Sequence, residues 1–289
     1  PAPSYRGRKG WISMKRNWIK ALRAVLAVAL AAGLSVILWR QVEYASGNAD
    51  YKKAEGLAGV SIQQLPQPAP SSPESARPSP DPAPASGAPE DTDPNLALLG
   101  SIDLAALQAV NPDVVGWIAI PGTELSYPLL QGEDNQYYLN HTWQGHRSSV
   151  GAIYLDFRAD PSLMDFHTLI YGHRMHNGSM FGSLAGYDDA EYWRAHPSVY
   201  IVHGDGVNRY DIFAAFKAHV NSSVYQLDSP GNAERGEFLD WCLEQSVIRT
   251  NITPAAGDRV ITLSTCVSLG RSDYRWVVQA VLAAPDPNA

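Results

Sequence analysis

The sequence predicts a mainly β protein, a closed or nearly closed barrel with helical insertions, set behind a single membrane-spanning helix. Three observations carry that reading. The second half of the chain alternates short runs of β-branched and aromatic residues with glycine and proline turns. One long uncharged stretch near the N-terminus follows a cluster of basic residues. Between the two lies a proline-rich segment that has no means of burying a core.

Taken in order, Arg6, Arg8, Lys9, Lys15, Arg16, Lys20 and Arg23 crowd the start, and residues 24–39 carry no charge before Arg40. Counted from Trp18 the stretch is long enough to cross a bilayer, with Lys20 and Arg23 reaching toward the interface. The basic excess on its N-terminal side directs the remainder of the chain out of the cytoplasm. Ala27-Val28-Ala29 offers a competing reading as a cleavable signal, but the apolar run continues to Leu38 and favours a retained anchor. The expected organisation is a basic cytoplasmic tail at 1–17, a transmembrane anchor at 18–39, and a juxtamembrane and linker segment at 40–94. Within that segment 41–60 reads as helical, and ten prolines between Pro66 and Pro94 read as an extended spacer. A folded domain at 95–284 and a short tail at 285–289 complete the chain.

In the folded part, Leu96, Leu99, Leu104 and Leu107 predict a helix that ends before Asn111-Pro112. Strands are expected at 114–120, 150–155, 168–171, 199–202, 210–216, 259–264 and 274–282. Pro121-Gly122, Gly132-Glu133, Gly204-Asp205-Gly206 and Pro230-Gly231 punctuate them. Residues 234–247 set Phe238, Leu239, Cys242 and Leu243 at helical spacing, so Cys242 reads as a core thiol and not as a disulfide partner for Cys266. The net charge is −7 and the basic residues gather at the anchor, which excludes a nucleic-acid footprint. No internal repeat is present.

The chemistry concentrates at Thr262-Leu263-Ser264-Thr265-Cys266, which brings a cysteine to the end of a strand. Arg275 lies in the next strand, and two strands so close in sequence are expected to pair antiparallel. A thiolate attacking a carbonyl creates an oxyanion that a fixed cation stabilises, so the Cys266–Arg275 pairing has a chemical use. Arg271 is the rival cation, but Gly270-Arg271-Ser272-Asp273 reads as a solvated turn. His173, after Leu169-Ile170-Tyr171-Gly172, stands at another strand end and is the candidate general acid/base. His141, His146, His196, His203 and His219 read as surface or core residues. His173-Arg174-Met175-His176 has no third ligand at a telling spacing, so neither a metal nor any other cofactor is expected.

Thr262-Leu263-Ser264-Thr265-Cys266 resembles the nucleophile motif of sortases, the cysteine transpeptidases that attach proteins to the Gram-positive cell wall. Asn111-Pro112-Asp113-Val114-Val115-Gly116-Trp117-Ile118, Tyr127-Pro128-Leu129-Leu130-Gln131-Gly132, Asp134-Asn135-Gln136-Tyr137-Tyr138-Leu139 and Tyr171-Gly172-His173 resemble the same family, in the right order. Ser264 and the helical insertion before the cysteine strand look like class B. No lid with an Asp-Pro-aromatic anchor of the pilin-assembling class is evident. The resemblance implies a barrel of about eight strands and the roles of Cys266 as nucleophile, His173 as general acid/base, and Arg275 as oxyanion or substrate-positioning cation. Ser264 and Thr265 are implied substrate contacts, with a plain strand role as the alternative. The implied partners are a C-terminal sorting-signal peptide, cleaved after Thr, and an amine from a peptidoglycan precursor or a pilin. The enzyme would be anchored in the cell membrane with its catalytic domain outside the cytoplasm. Val267-Ser268 departs from the acidic residues of some class B members, and 222–252 carries no recognisable specificity code. A membrane-tethered cysteine hydrolase, a pilin-polymerising sortase and a non-catalytic surface-binding module are the competing functions.

Overall fold

In the computed structural model, which describes residues 7–60, 65–66, 93–175, 177–204, 206–227, 231–266 and 273–284, eight strands close into one barrel. They are β1 (Val114–Ala119), β2 (Ser126–Leu130), β3 (Ile153–Leu155), β4 (His167–His173), β5 (Ser198–His203), β6 (Gly206–His219), β7 (Val260–Cys266) and β8 (Tyr274–Leu282). The order around the barrel is β1-β2-β3-β4-β7-β8-β6-β5, and β5 pairs with β1 to close it. The β2–β3 and β4–β7 pairs are parallel. The β7–β8 pair is antiparallel, as its short connection requires. Arg271, Val267-Ser268, His176, most of the proline-rich linker and the tail at 285–289 lie outside the described residues, as does the side chain of Cys266.

Seven of the eight strands were expected. The exception is β2, whose Pro128 removes a ladder donor and argues against a strand when read alone. It pairs with β1 along its length and with β3 only from Leu129 onward. The single helix expected through Leu96 and Leu107 is two, α2 (Pro94–Leu99) and α3 (Leu104–Gln108). Gly100 and Ser101 divide them, and each has its own N-cap: Asp93 accepts from the Asn95 amide and Asp103 from the Ala106 amide. The remaining described α-helices outside the N-terminal one are α4 (Ala190–Ala195) and α5 (Asn232–Gln245).

Helix α5 is the insertion expected around 234–247. It lays Phe238, Leu239 and Cys242 over Phe213, Phe216, Val260 and Val277 of the barrel wall. Each large side chain so buried contributes about 1.5–3 kcal/mol. Burial pushes the Cys242 thiol up to about 12, partly offset by Gln279, so this sulfur stays protonated and inert.

The chain divides into two compact units, 1–46 and 47–289. Helix α1 (Gly7–Ala58) runs through both, and its apolar part is long and apolar enough to cross a membrane. Its last three turns belong to the second unit. There Tyr51, Ala54 and Ala58 are buried on one helical face while Lys52 and Lys53 stay exposed. The compact unit thus takes in residues that composition assigns to the juxtamembrane segment. One tyrosine and two alanines make a face that reads no differently from an exposed helix.

Candidate active site

The parallel β4–β7 pair sets the geometry. Its register runs from His167 opposite Val260 to His173 opposite Cys266, the last residue of each strand. On the other side of β7, Ser264 lies opposite Val277 of β8. Continuing that antiparallel register by two residues brings Arg275 opposite Cys266. The three candidate residues therefore occupy neighbouring positions on three adjacent strands, at one end of the barrel. Thr265 reinforces that end. Its buried hydroxyl donates to the Trp276 carbonyl at 3.2 Å and accepts from the Trp276 amide at 3.1 Å, fastening β7 to β8 beside the cysteine.

His173 is buried, and its ring is held at one nitrogen. Nε2 lies 2.5 Å from the main-chain oxygen of Leu139, in a short 3-10 turn at Tyr137–Leu139. A carbonyl oxygen only accepts, so Nε2 carries a proton, and in the neutral imidazole it is Nδ1 that presents its lone pair. Nδ1 is buried and has no hydrogen-bond partner among the described residues. An unmatched buried acceptor costs about 1–3 kcal/mol, which a reacting proton donor brought to it would recover. Arg275 is half-buried, and its Nη1 donates to the Tyr274 carbonyl at 3.1 Å.

Ser264 is buried, and its hydroxyl pairs with that of Tyr225 at 2.9 Å. Tyr171 sits opposite Ser264 on β4 and donates to Asp156 at 3.0 Å. Burial alone pushes the Asp156 carboxyl up. Hydrogen bonds from Arg158, Asn135 and Tyr171 outweigh it and hold the group below the ordinary carboxylate range. His167, farther down β4, bonds Thr262 at 2.7 Å and is driven down to about 4 by burial, which keeps it neutral inside the barrel. Among the described residues no group of three or more His, Cys, Asp or Glu side chains is arranged to hold a metal ion.

The family model of the sortase domain matches residues 118–283. The chain belongs to the sortase family. Sortase B of Listeria monocytogenes is 36% identical over 185 residues, covering 62% of this chain and 74% of that protein. Sortase B of Staphylococcus aureus is 32% identical over 161 residues, covering 56% and 66%. Among solved structures, sortase B of Bacillus anthracis in complex with AAEK1 aligns over 84% of this chain and 98% of its own, with a TM-score of 0.63 and 27% identity. The Staphylococcus aureus sortase B–substrate complex aligns over 63% and 85%, with a TM-score of 0.60 and 30% identity. This is a class B sortase, and hence a cysteine transpeptidase on a closed eight-stranded barrel.

Sequence reasoning misses two parts of this sortase site. The Leu139 carbonyl lies within a quoted motif, but a main-chain oxygen has no sequence signature. Gly151 falls within the expected strand at 150–155, where an isolated glycine signals close approach. It has φ +62°, and a Cβ there would lie 2.8 Å from His173 Cδ2, 2.8 Å from the Leu139 oxygen and 2.9 Å from the Tyr138 oxygen. Two of those atoms are backbone and cannot swing aside. Gly151→Ala is expected to displace the imidazole or its carbonyl anchor, lowering kcat by tenfold or more and stability by about 1–3 kcal/mol. Steady-state kinetics and a denaturant melt of the same preparation check both.

Proposed function

We propose that this sortase cleaves a C-terminal sorting signal after a threonine, holds the acyl portion as a thioester on Cys266, and transfers it to a cell-wall amine. The observation that carries the reading is the strand order β4–β7–β8, with His173, Cys266 and Arg275 on neighbouring strands. In the first half-reaction the Cys266 thiol gives its proton to His173 Nδ1 as the sulfur bonds to the threonine carbonyl carbon, and the oxyanion that forms is stabilised by Arg275. The C–N bond then breaks, and the departing amine takes a proton from His173. In the second half an amine attacks the thioester carbonyl and gives its proton to His173, and the sulfur leaves as thiolate and takes that proton back, which restores the starting pair. Ser264 and Tyr225 form a hydroxyl pair beside this centre and are proposed substrate contacts. Thr265 serves the same end by fixing the strand. The apolar part of α1 is proposed as a single-pass anchor, with the barrel outside the cytoplasm.

The experiment is mass spectrometry of the protein with a library of sorting-signal peptides, with and without triglycine. An acyl adduct on Cys266 that passes to the amine is the expected result. An adduct released only to water would make the protein a hydrolase. Arg275→Ala is expected to lower kcat by about a hundredfold, as removal of a single oxyanion donor does elsewhere. Arg275→Lys should recover part of that loss, because it keeps the charge but not the planar fork.

A further inference from the structure

The end of α1 grips the stretch of chain that holds the catalytic histidine. Trp143 Nε1 donates to the main-chain oxygen of Asp50 at 2.7 Å, and the Thr142 hydroxyl donates to Asp50 Oδ2 at 2.7 Å. His146 Nδ1 lies 2.9 Å from that same carboxylate oxygen. One residue on, the buried Tyr51 hydroxyl donates to the Gly151 carbonyl at 2.5 Å. Gly47 permits this approach, since a Cβ there would come within 2.8 Å of Ser148 Oγ. The gripped stretch begins at Leu139, whose carbonyl fixes His173 Nε2, and ends at Gly151, which packs on the same ring. Both contacts that orient the imidazole therefore belong to a segment whose main-chain course α1 constrains.

We propose that Tyr51 is a positioning residue for His173, acting through Gly151. The proposal rests on His173 being the proton carrier of the proposed reaction. Tyr51 suits the task because its ring is itself fixed, edge-on to Tyr127 with centroids 5.2 Å apart. Tyr127 in turn accepts from the Met180 amide at 3.1 Å, so the ring stands against a tethered neighbour. Freeing the Gly151 carbonyl lets the 139–151 stretch relax and the imidazole swing away from its Leu139 anchor. Ser264 and Tyr225, the proposed substrate contacts, lie on other elements, β7 and the short 3-10 turn at Ser223–Tyr225. The loss should therefore appear in kcat and not in KM. It also follows that the end of the helix emerging from the membrane is a working part of the site and more than a tether.

The test compares Tyr51→Phe with Tyr200→Phe in the full chain in detergent micelles. Tyr200 lies on β5 and donates its hydroxyl to Asp93 at 2.5 Å, so its variant loses a buried phenolic bond without touching the gripped stretch. Two quantities are read: kcat and KM for peptide transfer to triglycine, and the ring 15N resonances of His173, assigned by difference with His173→Gln. Tyr51→Phe is expected to lower kcat about tenfold with KM within twofold. The His173 resonances are expected to move from a single Nε2–H tautomer toward an average of both. Tyr200→Phe is expected to change neither. Wild-type kcat and an unmoved His173 in Tyr51→Phe would overturn the proposal, as would equal losses in both variants with unmoved resonances. Should Tyr51→Phe fail to melt cooperatively, Asp50→Asn loosens the same grip and is expected to shift His173 in the same direction, and an unmoved His173 there would also overturn it. If the wild type makes no transfer product yet Tyr51→Phe still moves the His173 resonances, the transpeptidase reading fails while the positioning of the histidine stands.

Discussion

Cys266→Ala is expected to abolish acyl transfer completely while leaving a folded barrel. Cys266 is the last residue of β7, and the variant keeps the wall formed by Val260, Leu263 and their neighbours, so stability is expected to change by no more than about 1 kcal/mol. The chain supplies its own control, because it has two cysteines and the other is Cys242. Burial pushes that thiol up to about 12 and closes it off from solvent. Alkylation of the native protein at neutral pH should therefore modify one sulfur in the wild type and none in Cys266→Ala. Intact-mass measurement after exposure to a sorting peptide should show no acyl adduct in the variant. Cys266→Ser should lose at least a thousandfold in kcat, since a hydroxyl with a far higher pKa must replace a readily ionised thiol. Adduct formation in Cys266→Ala would remove this residue from the mechanism.

His173→Gln should reduce kcat by about a thousandfold, within the range that general acid–base catalysis supplies. Glutamine offers an amide N–H for the Leu139 carbonyl and fills a similar volume, so the local structure is preserved. It has no atom that both accepts and releases a proton. With KM close to that of the wild type, the loss reports the proton step and not peptide binding. Burst kinetics separate the two halves. A slow burst places the defect in protonation of the leaving amine, and a normal burst followed by slow turnover places it in activation of the incoming amine. Wild-type turnover would show that Nδ1, though buried and without a partner among the described residues, takes no part.

Much of this was legible in the sequence, for reasons that differ by residue. Strands β4, β7 and β8 announce themselves through β-branched runs, and a short connection makes β7 and β8 neighbours. Sequence alone therefore brings Cys266 and Arg275 to one place. The β4–β7 adjacency is another matter, because a parallel pair between distant segments leaves no local trace, and His173 was singled out only by its place at a strand end. Strand β2 was hidden by Pro128, and the α2–α3 break by leucines whose spacing continues across Gly100. The isolated glycine at 151 signals a close approach without naming its neighbour, whereas the Leu139 carbonyl and the grip of Asp50 and Tyr51 are illegible for a common reason. Each is a main-chain or tertiary contact between residues ten to a hundred positions apart, and no composition or period records it.

The β4–β7 pairing also governs when the enzyme can first act. His173 meets Cys266 across about ninety intervening residues, so the two catalytic strands close one of the longest loops in the barrel, in a class of topology that folds over milliseconds to seconds. In a chain delivered N-terminus first, the thiol and the carbonyl-anchored imidazole stay strangers until β7 has arrived, and β8 must follow it before the wall is complete. On the proposed mechanism the nascent protein therefore lacks its catalytic pair until the last two strands are in place. On the proposed roles of these residues, reactivity begins with completion of the barrel itself.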